Sequence, residues 1–441
     1  MTRTAEELTG ADDRAATGTG STGEGARSVG EGTGHPRGQG LLAAASFSAV
    51  AAGFIAVAVS YAGPMVVVLQ AAQAAHLSAE LTASWVSSIA IASGITCVVL
   101  SLLTRQPVVV AWSVPGAALL LTALGHYSYS DALGAYIVAA AMGLVLGVTG
   151  LFGKILNAVP RPVVAAVLAG VLLPFVLKAS GAVVDAPLVA GGLVLAFLAG
   201  RRFAPRYAVL VALAAGVVLA AATGGMAAPS VAWDFAGPVW TTPTFGASAI
   251  VGISVPLLVV TMAGQNAPGL AMMRQLGYSA GDRLMIGGAS LAWLVSAPFG
   301  SHGINLAAIT AGICAGREAH QDPSRRYVAG VSCGVFYILF GLFSTAAVAL
   351  VAAVPAALLT VLAGVALLGA TQGAIIDAVT HPRDGAAAPH AIEAAVITLV
   401  VTASGVSAFG IVAPFWGLLA GTVAYVLLGA LRPRRPRNAV R

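Results

Sequence analysis

Two stretches of this chain carry side chains from which an anion site could be built: Ser113, Val114, Pro115 and Gly116 in one, and Ser301, His302, Gly303 and Asn305 in the other. Ser113 followed by Pro115 is the pattern of a helix start, with a hydroxyl at the cap and a proline where its missing N–H does no harm. A helix that begins inside an apolar stretch presents unpaired N–H groups and a positive dipole end, and such an end attracts an anion. The β-branched run Val108 to Val110 just before it suits an extended backbone. In the second stretch Pro298, Gly300, Ser301 and Gly303 break the chain in the same way, ahead of Asn305 and an apolar helix. His302 lies in that break and is the one histidine placed deep in an apolar segment. Imidazole titrates near physiological pH, so His302 is a candidate proton site, the alternative being a neutral histidine fixed by hydrogen bonds. Gln265 and Asn266, with Pro268, are expected to interrupt a third apolar helix. Adjacent amides there need a ligand, an ion or the backbone carbonyls that proline frees.

The acidic residues inform by their places. None of the sixteen Asp and Glu falls in either break, where a carboxylate would repel an anion and favour a cation or a nucleobase N–H. The substrate reading therefore tilts toward an anion. HExxH, a glycine loop ending in GK[ST] and paired carboxylates are all missing, so no enzyme is expected. Cys97, Cys314 and Cys333 sit in or beside apolar runs without CxxC spacing and read as small core hydrophobes. No cofactor or metal is expected.

The elements that position these residues must lie in a membrane. The chain has 441 residues, 58% of them hydrophobic and 9% charged, where a soluble domain carries about 25% charged residues. Apolar stretches near the roughly 20 residues that span a bilayer recur from Leu41 to Leu431. They segment as 42-72, 81-103, 107-124, 132-153, 160-179, 183-200, 206-222, 244-266, 283-297, 300-315, 327-350, 353-376, 386-408 and 411-431. The third and tenth are the broken ones. Counting both as spans, with both termini inside, places every Lys and Arg except Lys178 on the cytoplasmic side, as the positive-inside rule requires. The net charge of +6 is thereby explained without nucleic acid.

Fourteen spans divide evenly, giving a first repeat 41-222, a polar linker 223-243 and a second repeat 244-431. Seven is odd, so the second repeat must be inverted. Matched Gly/Pro-interrupted segments in the two halves are the sequence signature of a secondary transporter's binding site. Residues 1-40, rich in Gly, Ser, Thr and charge, are expected to be a disordered cytoplasmic tail, and 432-441 a short basic one. The fold class expected is an all-α polytopic membrane protein in the cell (plasma or inner) membrane.

Three stretches, RQPVVVAWSVPGAALL, TMAGQNAPGLAMMRQLGY and APFGSHGINLAAITAGICAGREAHQDPSRRY, resemble the most distinctive segments of the benzoate/proton symporter family (BenE type), related to the uracil/xanthine permease fold. The resemblance covers about residues 41-431. It implies core and gate domains and proton-coupled uptake of benzoate or a similar small aromatic carboxylate. The site would lie between the third and tenth spans, lined also by the first and eighth. Carried over by position, Ser113, Val114, Pro115, Gly116, Ser301, Gly303 and Asn305 would hold the carboxylate, with Gln265 and Asn266 nearby; His302, from its own chemistry, is the expected site of the coupling proton. The nucleobase relatives carry acidic residues on the eighth and tenth spans where this chain has amide or histidine. A nucleobase or inorganic-anion transporter of the same fold is the competing expectation. The expected partners are the carboxylate, a proton and the bilayer, with a homodimer left undecided by the sequence.

Overall fold

The computed structural model describes residues 45–62, 64–152, 154, 160–226, 235, 237–279, 281–380, 388–409 and 411–430. Both expected tails and part of the expected linker (227–234 and 236) lie outside them. The regular structure is nearly all helix: α1 (Phe47–Ala62), α2 (Pro64–Ala74), α3 (Ala79–Thr104), α4 (Val114–Ala123), α5 (Tyr129–Thr149), α6 (Arg161–Asp185), α7 (Gly192–Phe203) and α8 (Ala208–Ala222) in the first half. The second half holds α9 (Ala247–Gln275), α10 (Asp282–Ser296), α11 (Ile309–Ala315), α12 (Tyr327–Leu342), α13 (Ser344–Ala352), α14 (Ala356–Val379), α15 (Pro389–Ala403) and α16 (Ala413–Ala430).

Among the described residues six helices are long and apolar enough to cross a bilayer: Phe47–Ala74, α3, α5, α6, α9 and α14. The pair Pro323–Leu342 and Ser344–Leu350, bent by 71°, makes a seventh when taken as one span. The chain is a mostly helical, polytopic membrane protein.

Polar caps mark helix ends, as backbone groups leaving an apolar medium require. The Ser78 hydroxyl accepts from Leu81 N at the start of α3 (3.2 Å), and α3 stops at Arg105 with φ 55°. Ser128 accepts from Asp131 N at the start of α5 (3.1 Å). Helices meet through glycines: a Cβ on Gly94 of α3 would lie 2.5 Å from the Gly334 carbonyl of α12, and the reverse distance is the same. Such contact lets two backbones touch, which is how helices associate where lipid removes the hydrophobic drive.

One small sheet departs from the all-α expectation. Strand β1 (Val110–Trp112) pairs antiparallel with β2 (Ile304–Leu306), in register Val110↔Leu306, Ala111↔Asn305 and Trp112↔Ile304. Each strand belongs to one of the two broken segments. In an apolar environment a broken helix must satisfy its backbone within the protein, and here the two breaks satisfy each other.

One local expectation needs correction. Residues Gln265, Asn266 and Pro268 do not interrupt their helix: α9 runs unbroken for 29 residues, with a π turn at Met262–Asn266 immediately before the proline. The wider turn accommodates the ring, whose clash with the carbonyl four residues back would break a regular helix. Asn305, expected to lie ahead of the tenth-segment helix, is the middle residue of β2, and α11 begins at Ile309 without a side-chain cap. Asn305 sits mid-strand because its partner, Ala111, lies far away in sequence.

Candidate functional site

Ser113 sits where the two breaks meet. Its N–H donates to the Gly303 carbonyl (3.1 Å), extending the ladder by one bond, and Ala307 N extends it at the other end to the Val109 carbonyl (3.0 Å). The Ser113 hydroxyl caps α4, accepting from Gly116 N (3.0 Å), and the Ser113 carbonyl accepts from Ala117 N (2.9 Å). Pro115 has no N–H to cap, so the Val114 N–H is the amide of the first turn left outside the cap. Thr261 of α9 also donates its hydroxyl to Ser113 Oγ (3.2 Å). The Asn305 amide, with its oxygen toward Ser113 N and its nitrogen toward the Ile304 carbonyl (3.2 Å each), ties the same corner. Small residues suit this corner: a Cβ on Gly303 would lie 2.9 Å from Ser113 Cβ, and one on Gly116 would lie 2.8 Å from Ser113 Oγ and 2.9 Å from Ser113 Cβ.

Helix α3 is the backboard for both breaks. Toward the first, Ser101 Oγ accepts from Val108 N and donates to Val108 O (3.1 Å each), and Cys97 Sγ accepts from Val110 N (3.0 Å) and donates to Val110 O (3.3 Å). Cys97 is thus more than a hydrophobe, because it closes the outer edge of β1. Toward the second break, Ser88 donates to Ser296 O (3.0 Å) and Ser84 to Phe299 O (3.1 Å). The outer edge of β2 is closed from α9, where Asn266 Oδ1 accepts from Leu306 N (3.0 Å). Asn266 is fully buried and also donates to Met262 Sδ (3.4 Å). Gln265 is different. It is half-buried, and among the described residues its amide has no protein partner.

His302 is fully buried, with a partner on each nitrogen. Trp85 Nε1 of α3 lies 2.9 Å from Nδ1, and Nε2 lies 2.9 Å from the Ser113 carbonyl. An indole N–H only donates, so Nδ1 is an acceptor and carries no proton; Nε2 must then carry the ring's proton and donate it to Ser113 O. This is a neutral tautomer, bridging α3, the second break and the first. Beside it, Trp293 of α10 donates from Nε1 to Ser301 O (3.1 Å), while the buried Ser301 hydroxyl and Trp112 indole N–H have no partner among the described residues.

The structure therefore brings together Ser113, Val114, Pro115, Gly116, Asn266, Ser301, His302, Gly303 and Asn305 at one place, with Gln265 on the adjoining turn of α9. Gly264, next to Gln265, lies against Leu168 of α6 and near Pro115: a Cβ there would lie 3.2 Å from Leu168 Cδ2 and 3.8 Å from Pro115 Cγ. Sequence reasoning missed Trp85, Thr261, Trp293, Ser101 and the backbone role of Cys97. The SWVSS run at Ser84–Ser88 was a signal for the first, because a tryptophan flanked by serines inside an apolar span needs a partner for its N–H.

Known proteins supply the context for this geometry. Residues 43–427 match the family described as benzoate membrane transport protein, BenE. The inner membrane protein YdcO of Escherichia coli is 39% identical over 383 residues, covering 87% of this chain and 96% of that protein. The benzoate membrane transport protein of Acinetobacter baylyi is 38% identical over 389 residues, covering 88% and 96%. Among solved structures, SLC26A9 superposes with a TM-score of 0.58 at 12% identity, covering 86% of this chain, which spans only 65% of that one. The transmembrane domain of the cyanobacterial bicarbonate transporter BicA gives 0.55 at 14% identity, covering 87% and 98%. At such identities the two structures speak to fold alone. The chain belongs to the benzoate membrane transport protein (BenE) family and is a membrane transporter rather than an enzyme.

Proposed function

We propose that this protein imports benzoate, or a similar small aromatic carboxylate, together with a proton across the plasma or inner membrane. The observation that carries the reading is the Ser113-capped start of α4 at the crossing of two broken segments, with the uncommitted Gln265 amide on the neighbouring helix turn and no Asp or Glu in either break. The carboxylate lies against that helix end, where N–H groups and the dipole favour negative charge. Ser301 and the Val114 N–H supply further donors. The family name and the name of the Acinetobacter relative support benzoate as the substrate.

The architecture that goes with this reading is fourteen spans in two inverted seven-span repeats, 41-222 and 244-431, joined by the linker 223-243. Core and gate domains move against each other, and the tails 1-40 and 432-441 are cytoplasmic. The antiparallel pairing of the third and tenth segments supports it, since two equivalent strands related by a two-fold axis in the membrane plane meet head to tail. His302 is the proposed proton site. Purified protein in liposomes is expected to accumulate labelled benzoate faster under an inward proton gradient; uptake indifferent to the gradient removes the proton, and no uptake removes the substrate.

An inorganic anion is the second reading, compatible with the fold shared with the bicarbonate transporter BicA. Thermal-shift titration with benzoate, bicarbonate and uracil separates these substrates.

A further inference from the structure

Both ring nitrogens of His302 are engaged, and they are engaged unequally. Nε2 already bears a proton, held on the Ser113 carbonyl, so the Nδ1 lone pair is the one place where a further proton can bind. That lone pair is covered by the Trp85 indole N–H at 2.9 Å. An added proton there would leave two N–H groups pointing at each other. Trp85 cannot adapt by accepting, because indole has no lone pair to offer. It is also fully buried, its ring tilted against Tyr129 of α5 (centroids 6.0 Å apart), and it meets the imidazole edge-on (5.5 Å).

Among the described residues the groups that face the imidazole offer no compensating charge. The elements around His302 contribute the Trp85 indole from α3, the Ser113 carbonyl from the first break, the Trp293 indole from α10 through Ser301, and Thr261 of α9 through Ser113. The phenol of Tyr129 packs on the far side of Trp85, with Tyr136 beside it. Among the described residues no carboxylate, lysine or arginine acts on the imidazole.

We propose that Trp85 is the positioning residue of proton coupling: its indole N–H masks the only protonatable atom of His302, so a proton enters only when the second broken segment and α3 part. The inference rests on the reading of His302 as the proton site and adds the group that gates it. A proton on Nδ1 makes the ring a cation that still donates through Nε2 to Ser113 O, so the bond to the first break survives while the bond to α3 is lost. Protonation thus removes one of the ties between α3 and the second break, leaving those made by Ser84 and Ser88 in place.

The test uses the full-length protein in lipid nanodiscs, labelled with 15N-histidine, the His302 signal being assigned by its loss in His302→Gln. In the unaltered protein His302 is expected to show the neutral Nε2–H tautomer with Nδ1 accepting a hydrogen bond. Trp85 is then replaced by 3-benzothienylalanine, which keeps the shape and exchanges N–H for sulfur, and separately by Phe. Losing a neutral buried hydrogen bond that favours the unprotonated ring raises proton affinity about tenfold, about one pH unit. The His302 titration and the pH profile of benzoate uptake are both expected to move to higher pH by that amount, with KM for benzoate unchanged. Unmoved midpoints with uniformly slower uptake, in the isosteric variant, would overturn the proposal, as would an Nδ1–H tautomer in the unaltered protein. Should the unaltered protein not take up benzoate, the substrate reading falls, while the 15N titration still decides the role of Trp85.

Discussion

Replacing Gln265 and Asn266 by alanine, one at a time, separates a ligand contact from a structural one at adjacent positions. Asn266 accepts from the Leu306 N–H and is fully buried, so Asn266→Ala leaves that N–H without a partner in an apolar interior. An orphaned buried donor costs about 1–3 kcal/mol. For a chain of this length 2 kcal/mol corresponds to about 2–3 °C in apparent Tm. Gln265 has no protein partner to lose among the described residues, so Gln265→Ala leaves the melting temperature unchanged. If its amide donates to the substrate carboxylate, that hydrogen bond to a charged group is worth about 1.5–3 kcal/mol, or roughly 10-fold to 150-fold in Kd. The assay pairs nanodisc thermal melts with benzoate binding measured calorimetrically on the same preparations. The expected pattern is a cross: Asn266→Ala melts early, and Gln265→Ala binds weakly at unchanged stability. A Gln265→Ala variant that binds benzoate as tightly as the unaltered protein would refute the placement of the ligand beside α9.

Other outcomes follow from the same geometry. Ser113→Ala removes the cap on Gly116 N and the contact with Thr261, and is expected to lower stability by about 1 kcal/mol, seen as an earlier melt, and to weaken benzoate binding in the same preparation. Gly300 has φ 109°, and a Cβ there would meet the Tyr129 hydroxyl and Trp85 Cα; Gly300→Ala is expected to abolish uptake and reduce the yield of folded protein on gel filtration. Arg326, nearly buried, donates to the carbonyls of Ala315, His320 and Gln321, fastening the end of α11 to the following loop. Arg326→Lys retains the charge but cannot reproduce that fork, so proteolysis of the 316–326 loop in nanodiscs is expected to quicken.

Local signals were readable and distant ones were not. Ser113 and Pro115 announced the start of α4 because a cap and an N1 proline act within four residues of chain. The apolar runs gave the helices for the same reason, since burial in lipid is a property of consecutive residues. That Asn305 is a strand residue, in contrast, has no local mark, because Ala111 pairs with it across the molecule. The tautomer of His302 is likewise settled by Trp85, 217 residues away. The division of labour between Gln265 and Asn266 depends on the phase of a helix that a π turn has shifted, and neighbouring amides carry no mark of which one faces inward.

The ladder between β1 and β2 sets a schedule for biogenesis. Val110 must wait for Leu306, nearly two hundred residues later in the chain. At about 5–20 residues per second of synthesis the delay is roughly 10–40 s. During that interval Cys97 and Ser101 of α3 can hold one edge of the first break, but the inward-facing amides and carbonyls have no protein partner yet made. The nascent chain must keep this segment beside water, in the insertion machinery or at the bilayer surface, until the second half arrives to close it.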